Sequence, residues 1–210
     1  MKIWIKAICI TSFVLQMAAC SNSTQTKNDS RPAQAVQNGI QQKGIVDIPE
    51  AYKGKIKGLE TVKGKVLHIK DGDTIDVNVK GQKQTVRLLL LDTPESVSQK
   101  IPPQKMGKEG SSFLKKQLEG KSVTLVYDRG QKEDKYGRKL AYVFCNGIHI
   151  NELMVKSGYG IIAYISRPNT TFLPEMLEAE KEAKELKAGV WSIKGFVDEK
   201  NRHYNRNDAA

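Results

Sequence analysis

The sequence predicts an α+β domain whose centre is a small barrel of five β-strands with three helices around it. Three observations carry that prediction. Five short runs, at residues 61–69, 74–79, 84–91, 122–127 and 140–144, have the length and apolar content of strands. Turn signals with Asp, Asn or Gly stand between or beside them, as at Asp71-Gly72, Lys80-Gly81-Gln82 and Asn146-Gly147. Three apolar stripes at helical spacing fall after the third and fifth runs.

The chain opens on residues that do not belong to that domain. Lys2 and Lys6 precede a mainly apolar stretch, Ala7 to Ala19, too short for a comfortable membrane span. It ends Leu15-Gln16-Met17-Ala18-Ala19-Cys20. Small residues before a cysteine resemble a bacterial lipobox, in which the cysteine becomes the lipidated N-terminus. The expectation is a signal peptide at 1–19 and an exported, membrane-anchored lipoprotein of the cell envelope, its domain facing outside the cytoplasm. An ordinary signal peptide cut nearby is the alternative. Ser21 to about Gln42 is polar and buries too little to offset its ordering entropy, so it reads as a flexible tether. Residues 45–59 contain Pro49, Gly54 and Gly58 and form a lead-in without assigned structure. Residues 20–59 are thus anchor and tether, 60–193 the folded domain, and 194–210 a polar tail that frays from Asp198.

Within the domain the first strand, Thr61 to Ile69, has Val62, Val66 and Ile69 as apolar positions and Gly64 as a bulge or bend. In the second, Ile75, Val77 and Val79 alternate. The third, Gln84 to Leu91, ends apolar on both faces and belongs at the centre of the sheet. Ser96 to Lys108 is a loop long enough to be functional. A helix follows from Glu109 to Glu119 on Phe113, Leu114 and Leu118, stopped by Gly120. After the fourth strand, Asp128 to Arg138 is a charged loop. A short helix at 150–156 uses Ile150, Leu153 and Met154, and Tyr159 to Ile165 is extended. Thr171 caps a last helix to about Ala188, with a stripe of Leu173, Leu177, Ala183 and Leu186; Pro174 is harmless in its first turn. Val190 and Trp191 pack back on the core. Five strands with this insertion pattern match the Greek-key OB-fold, a common platform for oligonucleotides.

Composition bounds the partners. Of the three cysteines, Cys9 lies in the leader and Cys20 would carry lipid, which leaves Cys145 alone, so the domain holds together by its core and not by a disulfide. The net charge of +11 favours a polyanionic partner: nucleic acid, anionic lipid or a cell-wall polymer. Nothing in the sequence calls for more than a monomer.

The chemistry concentrates between Asp71 and Glu95. Asp71 and Asp73 flank a glycine at a strand start, Arg87 interrupts an apolar run, and that run stops at Asp92-Thr93-Pro94-Glu95. Charges beside buried strands are costly unless paired or bound to a metal. Two aspartates, Asp73 and Asp92, with a main-chain carbonyl such as that of Thr93 and waters, make a hard oxygen site suited to Ca²⁺. No cysteine or histidine cluster competes: His68, His149 and His203 are scattered. Ordinary turn chemistry is the other account of Asp71 and Asp73, and a buried salt bridge to Asp92 the other account of Arg87. A second arginine, Arg138, follows Asp134-Lys135-Tyr136-Gly137. Two guanidinium groups and a divalent ion are what displacement at a phosphodiester requires, and Glu95 stands where it can orient or deprotonate a water.

Three motifs in order, D-G-D-T at 71–74, R-L-L-L-L-D-T-P-E at 87–95 and D-K-Y-G-R at 134–138, with A-Y-x-x-x-P-N at 163–169, resemble the staphylococcal (micrococcal) nuclease or thermonuclease family from about Thr61 to Trp191. The resemblance implies an OB-fold barrel with three helices and calcium-dependent hydrolysis of single- and double-stranded DNA and RNA to 3′-phosphate ends. It implies that Asp73 and Asp92 bind calcium through side chains and Thr93 through its carbonyl. It places Arg87 and Arg138 on the scissile phosphate, Glu95 as base or water-orienting group, Lys135, Tyr136 and Tyr164 on the nucleotide and its neighbouring phosphate, and Asp71 in support. One departure is that the family has a second tyrosine where this chain has Ser166, which predicts weaker mononucleotide binding. A nucleic-acid-binding module without catalysis is the alternative of another class, and a binder of anionic surface polymer a third.

Overall fold

The computed structural model describes residues 48–97 and 102–205. The leader, Cys20 and the tether expected to about Gln42 lie outside them, as do residues 98–101 of the predicted loop. Among the described residues no helix is long and apolar enough to cross a membrane.

The barrel consists of β1 (Glu60–Asp71), β2 (Thr74–Val79), β3 (Gln82–Leu88), β4 (Ser122–Tyr127) and β5 (Lys139–Cys145). Neighbours run antiparallel in the order β3-β2-β1-β4-β5, and a parallel β3–β5 pair, with Arg87 opposite Leu140, closes the ring. A two-residue strand, β6 (Ile148–His149), folds back on β5. Closure leaves few free edges. It also sets the end of β3 beside the start of β5, and so the segment from Arg87 onward beside the loop that ends at Arg138.

β1 serves two partners: residues 60–65 pair with β4 and residues 65–71 with β2. Gly64 carries no bulge; the register shifts lie later, between Val66 and His68 and between Ile69 and Asp71. The glycine is there for space, since a Cβ would sit 2.5 Å from Val77 Cγ1 and 2.9 Å from the Asn78 carbonyl. Inward residues Val66, Ile75, Val77, Val86, Leu88, Leu125 and Val143 are fully buried, so apolar burial holds the barrel together.

β3 ends at Leu88, three residues before the expected Leu91. Leu89 and Leu90 turn, with Leu90 at φ 58°, and the Leu88 N–H donates to the Asp73 carbonyl at 2.9 Å. The run is apolar on every side because it dives beneath the helices, and all of Leu88–Leu91 is buried.

The three expected helices are α2 (Gly107–Leu118), α3 (Ile150–Lys156) and α4 (Leu173–Glu185), and a fourth, α1 (Glu50–Ile56), precedes the barrel. α1 lays Tyr52 against Phe144, His149 and Phe172 and donates its phenol to Glu152 at 2.5 Å. Two expectations for α4 fail. Its buried face is Met176, Ala179, Glu180 and Ala183, while Leu177 and Leu186 are exposed. Thr171 caps nothing; its hydroxyl and N–H are both given to Asp128. The tail expected to fray is folded through Asn205: β7 (Val197–Asp198) and β8 (His203–Tyr204) form a hairpin over a small core of Ile161, Val190, Phe196 and Tyr204.

Candidate active site

The site stands where the β1–β2 turn meets the segment leaving β3. Asp71 ends β1 and Asp73 precedes β2; between them Gly72 is pressed on Thr93, whose hydroxyl a Cβ would meet at 2.7 Å. That close approach lets Asp73 receive two bonds from Thr93: its Oδ2 accepts from the N–H and the hydroxyl, both at 3.3 Å. Its Oδ1 accepts from the Thr74 hydroxyl at 2.8 Å.

Arg87, projecting from β3, lies between the two aspartates. Its Nη1 is 2.5 Å from Asp73 Oδ2, though no N–H points along that line, so the pair is an ion contact and not a directed hydrogen bond. Its Nη2 is 3.3 Å from Asp92 Oδ1, and its Cζ lies 5.3 Å from the centre of the Tyr164 ring. Tyr164 is 71% exposed, strained at φ 53°, and donates to Asp92 Oδ1 at 3.3 Å.

Asp92 is held by its backbone. It forms an isolated bridge with Ile161, N–H to carbonyl in both directions at 2.9 Å. Its carbonyl also accepts from the Tyr204 phenol at 2.9 Å. Burial pushes its carboxyl up to about 6, the Asp73 carboxylate pushes the same way, and Arg87 only partly offsets them.

Glu95 is placed by main-chain bonds: its N–H donates to Gln104 Oε1 and its carbonyl accepts from the Gln104 N–H, both at 2.8 Å. Its carboxylate faces Asp71, whose Oδ1 accepts from Ser96 Oγ and the Gly72 N–H at 2.7 Å each. Burial pushes Asp71 up to about 7; those two bonds lower it, while the Asp73 and Glu95 carboxylates raise it. Asp71 thus links the metal-ligand candidates to the water-orienting candidate.

Arg138, Lys135 and Tyr136 form a second group. Arg138 Nε donates to Asp134 Oδ2 at 2.7 Å, and its Cζ lies 5.5 Å from the Tyr136 ring centre. Lys135 Nζ lies 5.1 Å from the same ring, which is 71% exposed. The register sets Lys139 opposite Val86 and Leu140 opposite Arg87, so Arg138 stands beside β3 two residues before Arg87's own neighbour. The Arg138 guanidinium is committed to Asp134 and forms no ion pair with Asp73 or Asp92. Asn169 ties the loop bearing Tyr164 and exposed Ser166 to the loop bearing Arg138, through bonds of 2.8 Å to the Gly130 N–H and the Gln131 carbonyl.

A cation fits this donor set. Among the described residues no cluster of three or more His, Cys, Asp or Glu side chains is arranged to hold an ion. Asp73 and Asp92 supply only two carboxylates, and a main-chain oxygen and waters must complete the shell. That is oxygen chemistry of the kind calcium accepts, and the Asp92 carboxyl, raised first by burial and then by the Asp73 carboxylate, bears a cost that a divalent ion would offset.

A family model described as staphylococcal nuclease homologue matches residues 85–193. The chain belongs to that family. The match starts within β3, takes in Arg87 and Arg138, and ends beyond the 3₁₀ turn at Gly189–Ser192. An uncharacterised protein of Bacillus anthracis is 90% identical over the full length of both chains. Endonuclease YncB of Bacillus subtilis is 40% identical over 64% of this chain and 63% of its own length, so under two thirds of that relative is spanned. The thermonuclease of Staphylococcus hyicus is 41% identical over 61% of this chain and 75% of its own length.

Sequence reasoning missed Tyr204, which holds the Asp92 backbone from a segment read as a frayed tail. Arg202 in the same hairpin donates to the Ile162 carbonyl at 2.9 Å and pairs with buried Glu180, which in turn accepts the Ile162 N–H at 2.9 Å. The available signal was an aromatic pair, Phe196 and Tyr204, in an otherwise polar stretch.

Proposed function

We propose that the domain is a calcium-dependent nuclease without sequence specificity, which hydrolyses phosphodiester bonds of single- and double-stranded DNA and of RNA to leave 3′-phosphate ends. The observation that carries this reading is Arg87, held between two mutually repelling carboxylates beside an exposed tyrosine. Family membership and the relatives named endonuclease and thermonuclease support it.

Asp73 and Asp92 would hold calcium with the Thr93 carbonyl, and the bound ion would supply positive charge to the phosphate. Arg87 and Arg138 bind non-bridging phosphate oxygens, and the planar guanidinium stabilises charge as the five-coordinate phosphorus forms. Glu95 orients a water and takes its proton as oxygen attacks phosphorus. The bond from phosphorus to the 5′ oxygen breaks, that oxygen takes a proton from a solvent water and leaves as a hydroxyl, Glu95 returns its proton to solvent, and the phosphate stays on the 3′ side. Tyr136 and Tyr164 offer ring faces to the nucleotide, and Lys135 offers charge to its neighbouring phosphate. No residue in this set reads a base edge, which is why sequence specificity is not expected.

The test is digestion of single-stranded DNA, duplex DNA and RNA in millimolar calcium and in chelator, with the ends of the products identified. Failure to cut any substrate in calcium refutes the reading and leaves a binding module. We also propose that the enzyme is a monomer displayed outside the cytoplasm by a lipid on Cys20, supported by the leader and the L-Q-M-A-A-C sequence. Cys20→Ser should move the protein from the membrane fraction to the soluble fraction, and retention in the membrane fraction would refute the anchor.

A further inference from the structure

Outside the catalytic pocket, two lysines from neighbouring strands converge on one carboxylate. Asp76 of β2 is almost fully buried. Lys83 Nζ lies 2.9 Å from its Oδ2 and Lys70 Nζ 3.3 Å from its Oδ1, and the Thr85 hydroxyl donates to Oδ1 at 2.7 Å. Burial raises the Asp76 carboxyl, but Lys83, Thr85 and Lys70 together hold it below the usual range, so it stays charged. Two ammonium groups over one carboxylate leave a positive surplus, and both lysine side chains reach solvent.

These lysines line a groove of about 650 Å³ together with Tyr136, Arg138 and Lys139. Four cations and no carboxylate are among its lining residues. Thr74 also lines it and donates to Asp73, so the groove abuts the site. Its place on β2, β3 and the loop before β5 is the face on which OB-folds carry oligonucleotides. Single-strand sites on such folds take about 4–16 nucleotides each, more than one scissile phosphate and its nucleotide would fill. The buried Asp76 fixes the lysine stems in advance, which lowers the ordering cost of meeting a phosphate.

We propose that this groove is a second subsite, in which Lys70, Lys83 and Lys139 hold backbone phosphates of a single nucleic-acid strand continuing past the scissile position. It rests on the nuclease reading for its substrate class. The contacts are electrostatic, so they add affinity and salt dependence without sequence preference.

The experiment is binding of a labelled single-stranded oligonucleotide of ~16 nucleotides, read by fluorescence anisotropy in chelator over a range of salt concentrations. In Lys83→Gln, affinity should fall about three- to tenfold and the slope of log K against log salt should shrink by about 0.7. Lys83→Arg should restore both. Lys139, on β5 opposite Val86, pairs with exposed Glu133 and not with buried Asp76. Lys139→Gln should therefore repeat the change without touching that anchor. An unchanged salt slope in both glutamine variants overturns the proposal. Digestion of the same oligonucleotide in calcium separates the two readings: a wild-type protein that binds with the expected slope but never cuts refutes the nuclease and keeps the groove, whereas cutting with a slope that ignores Lys83 and Lys139 does the reverse.

Discussion

Two aspartates, one buried and one half-buried, are treated in opposite ways. Asp128, in the loop after β4, is saturated: its Oδ1 accepts from the Arg129 N–H at 2.8 Å and the Thr171 hydroxyl at 2.7 Å, and its Oδ2 from the Thr171 N–H at 2.9 Å and the Tyr142 phenol at 3.1 Å. Asp92 has one carboxylate oxygen shared by Arg87 and Tyr164, both at 3.3 Å, and a second carboxylate for a neighbour. A carboxylate with a full set of short donors has a structural task and needs nothing more. One left with long donors and a like charge beside it is arranged for a cation and an anionic substrate that the fold alone does not supply.

The sharpest way to break this contrast is through turnover. Glu95→Gln and Arg87→Gln should each lower the rate of DNA cleavage by about 10²–10⁴-fold, with circular dichroism unchanged. Full activity in either variant would place the chemistry elsewhere. Asp128→Ala should do the converse. It leaves the Thr171 N–H and hydroxyl without their acceptor and the buried Tyr142 phenol with only its 3.3 Å bond to the Asn169 carbonyl, and urea unfolding should show a loss of about 3 kcal/mol while cleavage per folded molecule stays within a few-fold.

A subtler test turns on the sign of the Asp92 shift. Its carboxyl is raised from the ordinary range to about 6 in the folded protein. The folded state therefore takes up its proton more readily than the unfolded chain. The cost of the ionised group is present in full above pH 6, declines as pH falls through 6, and is gone below about 4. In chelator, Asp92→Asn should stabilise the domain at pH 8 by about 2 kcal/mol, after allowance for partial exposure. That gain should vanish by pH 4. Calcium should reverse the order at pH 8, because the ion stabilises only the protein that binds it. A variant no more stable than wild type at pH 8 in chelator would show that Asp92 is as well satisfied as Asp128.

Half of this contrast was legible in the sequence: Asp73, Arg87 and Asp92 stood out together at strand ends, where turn chemistry or a salt bridge explains each one singly, whereas Asp128 was one charge in a charged loop. The strands were legible as well: alternation at Ile75, Val77 and Val79 survives any tertiary context. Leu89–Leu91 was not, since an apolar run reads the same whether it continues a strand or turns beneath helices. The face of α4 was misread because Glu180, a charged residue, is needed inside to accept the Ile162 N–H and meet Arg202. α1 is too short for a periodicity to show. Its anchoring comes from one ring, Tyr52, whose partners Phe144 and Phe172 are distant in sequence.

Tyr204 joins the two kinds of design, because its role is structural and its object is the site. Burial pushes its phenol well above the usual range, so it remains a donor to the Asp92 carbonyl. Its ring lies 5.2 Å from Phe196. Tyr204→Phe keeps that packing and deletes only the donor. The Asp92 carbonyl retains the Ile161 N–H, so no buried group is orphaned, and the stability loss should be no more than about 1 kcal/mol. The Asp92 backbone would then be held by the two bonds of its Ile161 bridge where three bonds held it. Calorimetric calcium titration should show weaker binding by up to about tenfold, with the cleavage rate at saturating calcium unchanged. Equal calcium affinity in the two proteins would make the hairpin a cover for Ile161 and nothing more. A fall in the saturated rate would instead carry its influence past the ion, to Arg87 and Tyr164, the two groups that share the other end of Asp92.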